Sequence, residues 1–198
     1  MADFLKAYAP LKAFEGGYAD NSRDRGGETY AGISRRFFPA WPGWMLIDAE
    51  KRAVSFKRDM KGFSLHLAGI AELQRLVEDF YRFEWWDALH LGELPQNLAD
   101  EIFEQAVNIG KGGGARHVQR ICNALNWRGG GPLFADLKID GVFGPATREA
   151  LKKLLDGQHE ADVFVHALNC LQGAHYISLA AKDVSQRAFF SGWMRRTY

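Results

Sequence analysis

No run of alternating polar and apolar residues in this chain is long enough to build a large sheet, and this rules out most β architectures. What recurs instead is the helical stripe, cut at intervals by glycine and proline. Phe4, Tyr8 and Leu11 fall at i, i+4 and i+7, which predicts a first amphipathic helix over 3–15, stopped by Gly16-Gly17. Leu98, Ile102, Ala106 and Ile109 form a second clear stripe, opened by Pro95 and ended by Gly110. Further helices are expected over 48–60, 68–85 and 115–125, with Gly112, Gly113 and Gly114 as a break before the last of these. Pro145 should open a helix reaching Leu155, since its fixed φ suits the first helical position. A last long helix is expected over 162–181.

Residues 18–33 are rich in Gly, Asp, Asn, Ser and Thr, which predicts loop or a short hairpin. Asp140-Gly141 is turn chemistry, and 127–132, with three consecutive glycines, is the most flexible-looking segment. The expected fold is therefore mainly α, with at most a small β-hairpin near 18–34. The length of 198 residues suits one domain or two small ones. The expected division is 1–95 and 96–198, the second part either separate or completing the same globule.

Charge narrows the function classes. Lys and Arg total 25 against 24 Asp and Glu, a formal net charge of +1, which excludes a strongly basic nucleic-acid binder. The positive excess sits in the second half; after Asp183 no acid follows, only Arg187, Arg195 and Arg196 among aromatics. The longest stretch free of charged side chains, 163–181, contains His166, Asn169, Gln172, His175 and Ser178, so a buried helix is expected there and not a stable membrane insertion. Cys122 and Cys170 form neither a disulfide framework nor a zinc site and are expected as buried free thiols. The six histidines show no metal-binding spacing, so no metal or other cofactor is expected. Aromatic residues, 13% of the chain, are rigid core filler but also line carbohydrate clefts.

Glu15 continues the apolar stripe of the first helix at its C-terminal end. Burial and the partial negative charge of the helix terminus both favour the protonated carboxyl, the state a general acid needs. Asp24 sits in a polar loop, where a carboxylate stays ionised. One acid kept neutral and one kept charged is the division of labour found in glycosidases. Each residue also has a plainer reading taken alone. Glu15 could be a solvated helix end and Asp24 a turn residue. Thr29 could orient a water or serve the turn, and Tyr30 could stack on a sugar or on the core.

The ordered motifs bear on that choice. Glu15-Gly16-Gly17-Tyr18, followed by Asp24-Arg25-Gly26-Gly27-Glu28-Thr29-Tyr30-Ala31-Gly32-Ile33, resembles the signature of glycoside hydrolase family 108, lysozyme-like N-acetylmuramidases of bacteriophage endolysins and bacterial genomes. The likeness continues through Tyr81, Trp85-Trp86, Leu94-Pro95 and Ala106-Val107-Asn108-Ile109-Gly110. Asp140-Gly141-Val142-Phe143-Gly144-Pro145-Ala146-Thr147 resembles a predicted peptidoglycan-binding domain that accompanies this family, and Gly192-Trp193 with Arg195 resembles its ending. The resemblance implies a lysozyme-like helical fold. It also implies hydrolysis of the β-1,4 bond between N-acetylmuramic acid and N-acetylglucosamine, with Glu15 as the acid and Asp24 and Thr29 in the second motif. The Glu15–Asp24 spacing also resembles that of phage-type lysozymes, where a Thr comes after the Asp; here Thr29 and Tyr30 are adjacent, and which residue positions the attacking water stays open.

Tyr18, Tyr30, Trp85 and Asn108 are the candidate substrate contacts. Core packing is the alternative for the three aromatics, and a helix C-cap the alternative for Asn108. Cys122 with His117 is expected to be core and not a thiol-peptidase pair. The expected partner is the glycan strand of peptidoglycan, met by a monomer. A lytic transglycosylase or a non-catalytic wall-binding protein are the rival readings. With no apolar leader between Asp3, Lys6 and Lys12, the chain is expected to accumulate in the cytoplasm and reach the wall after release.

Overall fold

A computed structural model describes residues 1–14, 16–20, 27–53, 59–156 and 160–197, without the side chains of Ala13, Phe14 and Glu160. Glu15 and Asp24 lie outside the described residues. The chain is mainly helical with one small antiparallel sheet, as its periodicity implies. It divides into two compact units, one taking Phe4–Ala88 and the other Leu89–Tyr198 together with Met1–Asp3.

The N-terminal unit opens with α1 (Phe4–Phe14), which runs through Pro10. Three short strands come next, β1 (Tyr18–Asp20), β2 (Glu28–Tyr30) and β3 (Ile33–Ser34), in the order β1-β2-β3. The expected hairpin is thus a three-stranded sheet. Tyr18 pairs with Tyr30 across β1 and β2, and Tyr30 pairs with Ile33 across a two-residue turn. That turn, Ala31-Gly32, has both φ angles positive (45° and 75°), the geometry whose twist matches tight hairpins. Ala31 carries the strain of a left-handed non-glycine residue, and its carbonyl accepts a hydrogen bond from the Tyr81 hydroxyl at 2.9 Å.

Helices α2 (Gly43–Ala53), α3 (Met60–Ala68) and α4 (Ala71–Tyr81) complete the unit. The expectation of one helix over 48–60 is corrected: α2 starts five residues earlier in the aromatic turn, and a separate α3 begins at Met60. Asp59 accounts for that start, because its carboxylate caps the backbone N–H of Gly62 at 2.8 Å. The expected helix over 68–85 begins at Ala71 and passes after Tyr81 into a π-helical turn, Arg82–Asp87. Trp41 and Trp44 meet edge to face at 5.2 Å, and the Trp44 indole N–H donates to the Phe38 carbonyl at 2.8 Å. These rings, with Ile33, Ile47, Leu67 and Leu73, form the core.

In the C-terminal unit, α5 (Gln96–Ile109) packs on α6 (Lys111–Ala124) and on α8 (Glu160–Lys182). Gly112, Gly113 and Gly114 lie inside α6, contrary to the break expected there. Close packing explains Gly114: a Cβ on it would stand 3.3 Å from the Ala106 backbone in α5. Helix α7 (Pro145–Leu155) has the bounds the sequence implied, opened by Pro145. The 127–132 segment, expected to be flexible, closes through paired backbone hydrogen bonds between Arg128 and Gly131. Buried Asn126 anchors the chain just beyond it, its Oδ1 accepting from the N–H groups of Leu133 and Phe134.

The chain does not end its helices at α8. After a 3-10 turn comes α9 (Arg187–Met194), and Trp193 stacks on Tyr176 at 5.4 Å. The tail arginines are not simply solvated: Arg196 is bound to Glu104 and Asn108, and the Arg187 Nε donates to the Ala180 carbonyl at 3.2 Å. The core holds Leu98, Ile102, Phe103, Val118, Leu151 and Phe164. No helix among the described residues is long and apolar enough to cross a membrane.

Candidate active site

A cavity of about 210 Å³ opens in the N-terminal unit where α1 ends against the sheet and α3. Gly16 and Gly17, the two residues directly after Glu15, form part of its wall, with Tyr8, Lys12, Tyr30 and Ala31. Ser64 on α3 and Gln74 on α4 close it.

Each wall is fixed by an identifiable contact. Tyr8 stacks on Phe4 at 5.3 Å and leans on Tyr81 at 5.6 Å, so the buried face of α1 is rigid aromatic surface. The segment leaving α1 is held by Ser64. A side chain on Gly17 would place its Cβ 2.6 Å from Ser64 Oγ, so only glycine permits the approach. Tyr30 is almost fully buried, yet its hydroxyl reaches the cavity wall and accepts a hydrogen bond from Gln74 Nε2 at 2.7 Å. Burial, only partly offset by that bond, pushes the Tyr30 phenol up, so it keeps its proton at neutral pH. That proton has no acceptor among the described residues and can be donated to a ligand oxygen.

Beneath the sheet lies a charged cluster that sequence reasoning missed. Glu28 on β2 accepts from the Tyr18 hydroxyl at 3.0 Å, from Arg35 at 3.0 Å and from Lys51. Arg35 also grips Asp48 with both terminal nitrogens, at 2.7 and 2.5 Å. Burial pushes the Glu28 carboxyl up, but the hydrogen bonds from Lys51 and Arg35 outweigh it and hold the group below its ordinary range. With this many donors Glu28 is a carboxylate near neutral pH, suited to fixing the sheet and not to giving a proton.

The sequence-predicted residues fall in different places. Tyr30 lines the cavity. Tyr18 is buried, its ring edge to face with Phe63 at 5.1 Å and under the Lys51 ammonium, and its phenol is raised by burial and by the Glu28 charge. Thr29 is half-buried on β2, opposite Ala19 and Ser34. Trp85 is half-buried on the π-helical turn, a helix form frequent at functional sites. Asn108 belongs to the C-terminal unit, inside α5; its amide donates to the Glu104 carbonyl at 3.0 Å and its oxygen accepts from Arg196, so it does not cap the helix.

One of the two cysteines differs from expectation. Cys122 is buried, with its thiol pushed up to about 12 by burial, whereas Cys170 is exposed on α8. His117 is paired with Gln105 at 2.8 Å and pushed down to about 4, first by burial and then by His175. No group of three metal-ligating side chains gathers among the described residues. Ser64 and Gln74 were not singled out in the sequence. Met60, Phe63 and Leu67 do carry an apolar stripe that could have exposed α3, and with it Ser64.

Two family models match the chain, and they meet about 20 residues beyond the boundary between the two compact units. The family described as Glycosyl hydrolase 108 matches residues 9–110, and one described as Predicted Peptidoglycan domain matches 114–198. No curated protein matches the chain. Among solved structures, the chain resembles the structure of Brucella abortus SagA, with 24% identity over 98% of this chain and 92% of that one and a TM-score of 0.56. At that identity the likeness concerns the fold. The family match spans more than half of the chain, including the cavity and the motifs around it, and the chain is a glycoside hydrolase belonging to glycosyl hydrolase family 108.

Proposed function

We propose that this protein is a lysozyme-type N-acetylmuramidase that cleaves the β-1,4 bond between N-acetylmuramic acid and N-acetylglucosamine in peptidoglycan. The observation that carries the reading is the cavity walled by Gly16 and Gly17, which the chain enters directly after Glu15. A peptidoglycan substrate is supported by the matched peptidoglycan domain over 114–198. In this reading Glu15 protonates the glycosidic oxygen, and Asp24 stabilises the oxocarbenium-like transition state or orients the attacking water. Thr29, on the strand that comes after Asp24, assists in holding that water. The Tyr30 hydroxyl donates to a substrate oxygen, and Lys12, which has no side-chain partner among the described residues, lies ready at the cavity edge.

The deciding experiment is digestion of purified peptidoglycan, followed by reducing-end assay and mass spectrometry. Reducing muropeptides are expected. Anhydro-muropeptides would replace the hydrolase by a lytic transglycosylase, and wall binding without fragments would replace it by a non-catalytic binder. Glu15→Gln is expected to lower turnover by at least ~10²-fold with the circular dichroism spectrum retained. Wild-type rates in that variant would remove Glu15 from the mechanism.

A further inference from the structure

The C-terminal unit holds a larger groove, of about 550 Å³, between the residues leading into α5 and one face of α7. Leu94 and Pro95 form one side. Phe143, Pro145 and Leu155 supply apolar surface on the other, and charged side chains line the rim. The charged side chains of α7 that line the groove carry both signs: Arg148, Glu149, Lys152 and then Asp156 at its end. Glu93 and His90 stand on the opposite side, 3.6 Å from each other.

Two features set this groove apart from an ordinary solvated helix face. The Arg148 Nε is buried and has no hydrogen-bond partner among the described residues, although a buried donor is normally satisfied. The Lys152 and Glu149 side chains likewise have no partner among the described residues. Both signs of charge thus stand beside an apolar floor without a partner among the described residues.

This pattern selects among wall chemistries. A polyanion would gain from Arg148 and Lys152 but meet Glu93, Glu149 and Asp156 at the same rim. An unsubstituted glycan offers neither charge, and among the described residues only Phe143 and the His90 imidazole line the groove with a ring to stack on it. A short peptide carrying both carboxylates and an amine satisfies both signs, and its methyl groups suit the apolar floor. We propose that this groove binds the peptide stem of peptidoglycan, with Arg148 and Lys152 taking carboxylates and Glu149 and Asp156 taking the amine. The proposal rests on the reading of peptidoglycan as substrate, and it assigns the peptide to a site other than the cavity beside Glu15.

The test is titration of the isotope-labelled full chain with a synthetic stem tetrapeptide containing a diamino acid, and separately with a chitin tetrasaccharide. A glycosidase cannot cleave the peptide probe, so binding is read independently of activity. The peptide is expected to shift the amides of Glu93, Leu94 and the non-proline residues of 143–152, with at least ~10-fold weaker binding in Arg148→Gln/Lys152→Gln, as the loss of charge-assisted hydrogen bonds implies. The folding of that variant is checked by its melting temperature. No shifts in these segments, or shifts equally strong in the variant, would overturn the proposal. Shifts there caused by the tetrasaccharide and not by the peptide would reassign the groove to glycan. If whole peptidoglycan yields no fragments while the peptide still binds, the muramidase reading fails and the groove assignment stands.

Discussion

Ser64 and Tyr18 clasp each other: the Tyr18 backbone N–H donates to Ser64 Oγ at 2.8 Å, and the Ser64 hydroxyl donates to the Tyr18 carbonyl at 3.3 Å. The pair joins α3 to β1 immediately beyond the glycines that come after Glu15. Removing the hydroxyl with Ser64→Ala leaves the Tyr18 N–H unsatisfied in a part-buried site, a loss of roughly 1–3 kcal/mol. Gly17→Ala should cost a similar amount, roughly 1–3 kcal/mol, because its Cβ would overlap Ser64. Urea unfolding would measure both. Gly17→Ala combined with Ser64→Gly should cost less than the sum of the two single substitutions, since the overlap is relieved.

Glu28 should make the N-terminal unit acid-sensitive. Its carboxyl is held below its ordinary value of 4.5, so the folded state binds this proton less readily than the unfolded chain. The sign is then fixed: its contribution is present above that ordinary value and is lost as pH falls through the depressed folded value. Glu28→Gln removes the charge that Lys51 and Arg35 share. It should cost roughly 1–3 kcal/mol near pH 7, and the difference from wild type should shrink toward pH 3. Thermal melts across pH 3–7 test this; a constant difference would show that charge is not the cause.

Glu101 predicts the opposite slope for the C-terminal unit. Burial chiefly, aided by the neighbouring Glu104 charge, raises its carboxyl to about 7 from 4.5. Its contribution is therefore fully present below 4.5 and is lost as pH rises through about 7. Glu101→Gln keeps the shape without the ionisation. The variant should match wild type near pH 4 and melt higher at pH 8, each pKa unit being worth about 1.4 kcal/mol. A variant that melts lower at pH 8 would show that the ionised form is the one the fold prefers.

Helix α6 offers a paired test of its glycines. A Cβ on Gly112 would meet only the Arg116 guanidinium at 3.4 Å and the Gly141 carbonyl at 3.7 Å, so Gly112→Ala should gain up to ~1 kcal/mol of helix propensity. A Cβ on Gly114 would stand 3.3 Å from Ala106 backbone atoms, which cannot rotate away. Gly114→Ala should therefore lose stability, despite the same gain in propensity. Equal effects of the two substitutions on the melting temperature would show that α5 and α6 yield easily at this crossing.

Much of the secondary structure was legible because its signals are local. Pro145 and the stripe behind it marked α7 at both ends, and the absence of sustained alternation limited β structure to a small element near 18–34, though the third strand was not legible. Boundaries failed where a distant partner decides them. Gly112 to Gly114 look like a breaker, and only contact with Ala106 shows that Gly114 serves a close helix crossing. Asp59, whose carboxylate starts α3, is indistinguishable in sequence from any other loop carboxylate.

At the candidate site the sequence by itself determined the ordered motifs around Glu15 and Asp24, hence the family, because short spacings along one helix end and one hairpin survive in linear text. Tertiary structure alone decided that Tyr30, Ser64 and Gln74 share a cavity wall with Gly16 and Gly17, and that Glu28 is locked as a carboxylate by Arg35 and Lys51. The physical reason is that a hydrogen bond or a shift in proton affinity depends on a few ångströms of separation and on exclusion from water. Both are set by how α1, α3, α4 and the sheet pack, and residues such as Tyr18 and Ser64 meet across 46 positions of chain that carry no trace of the encounter.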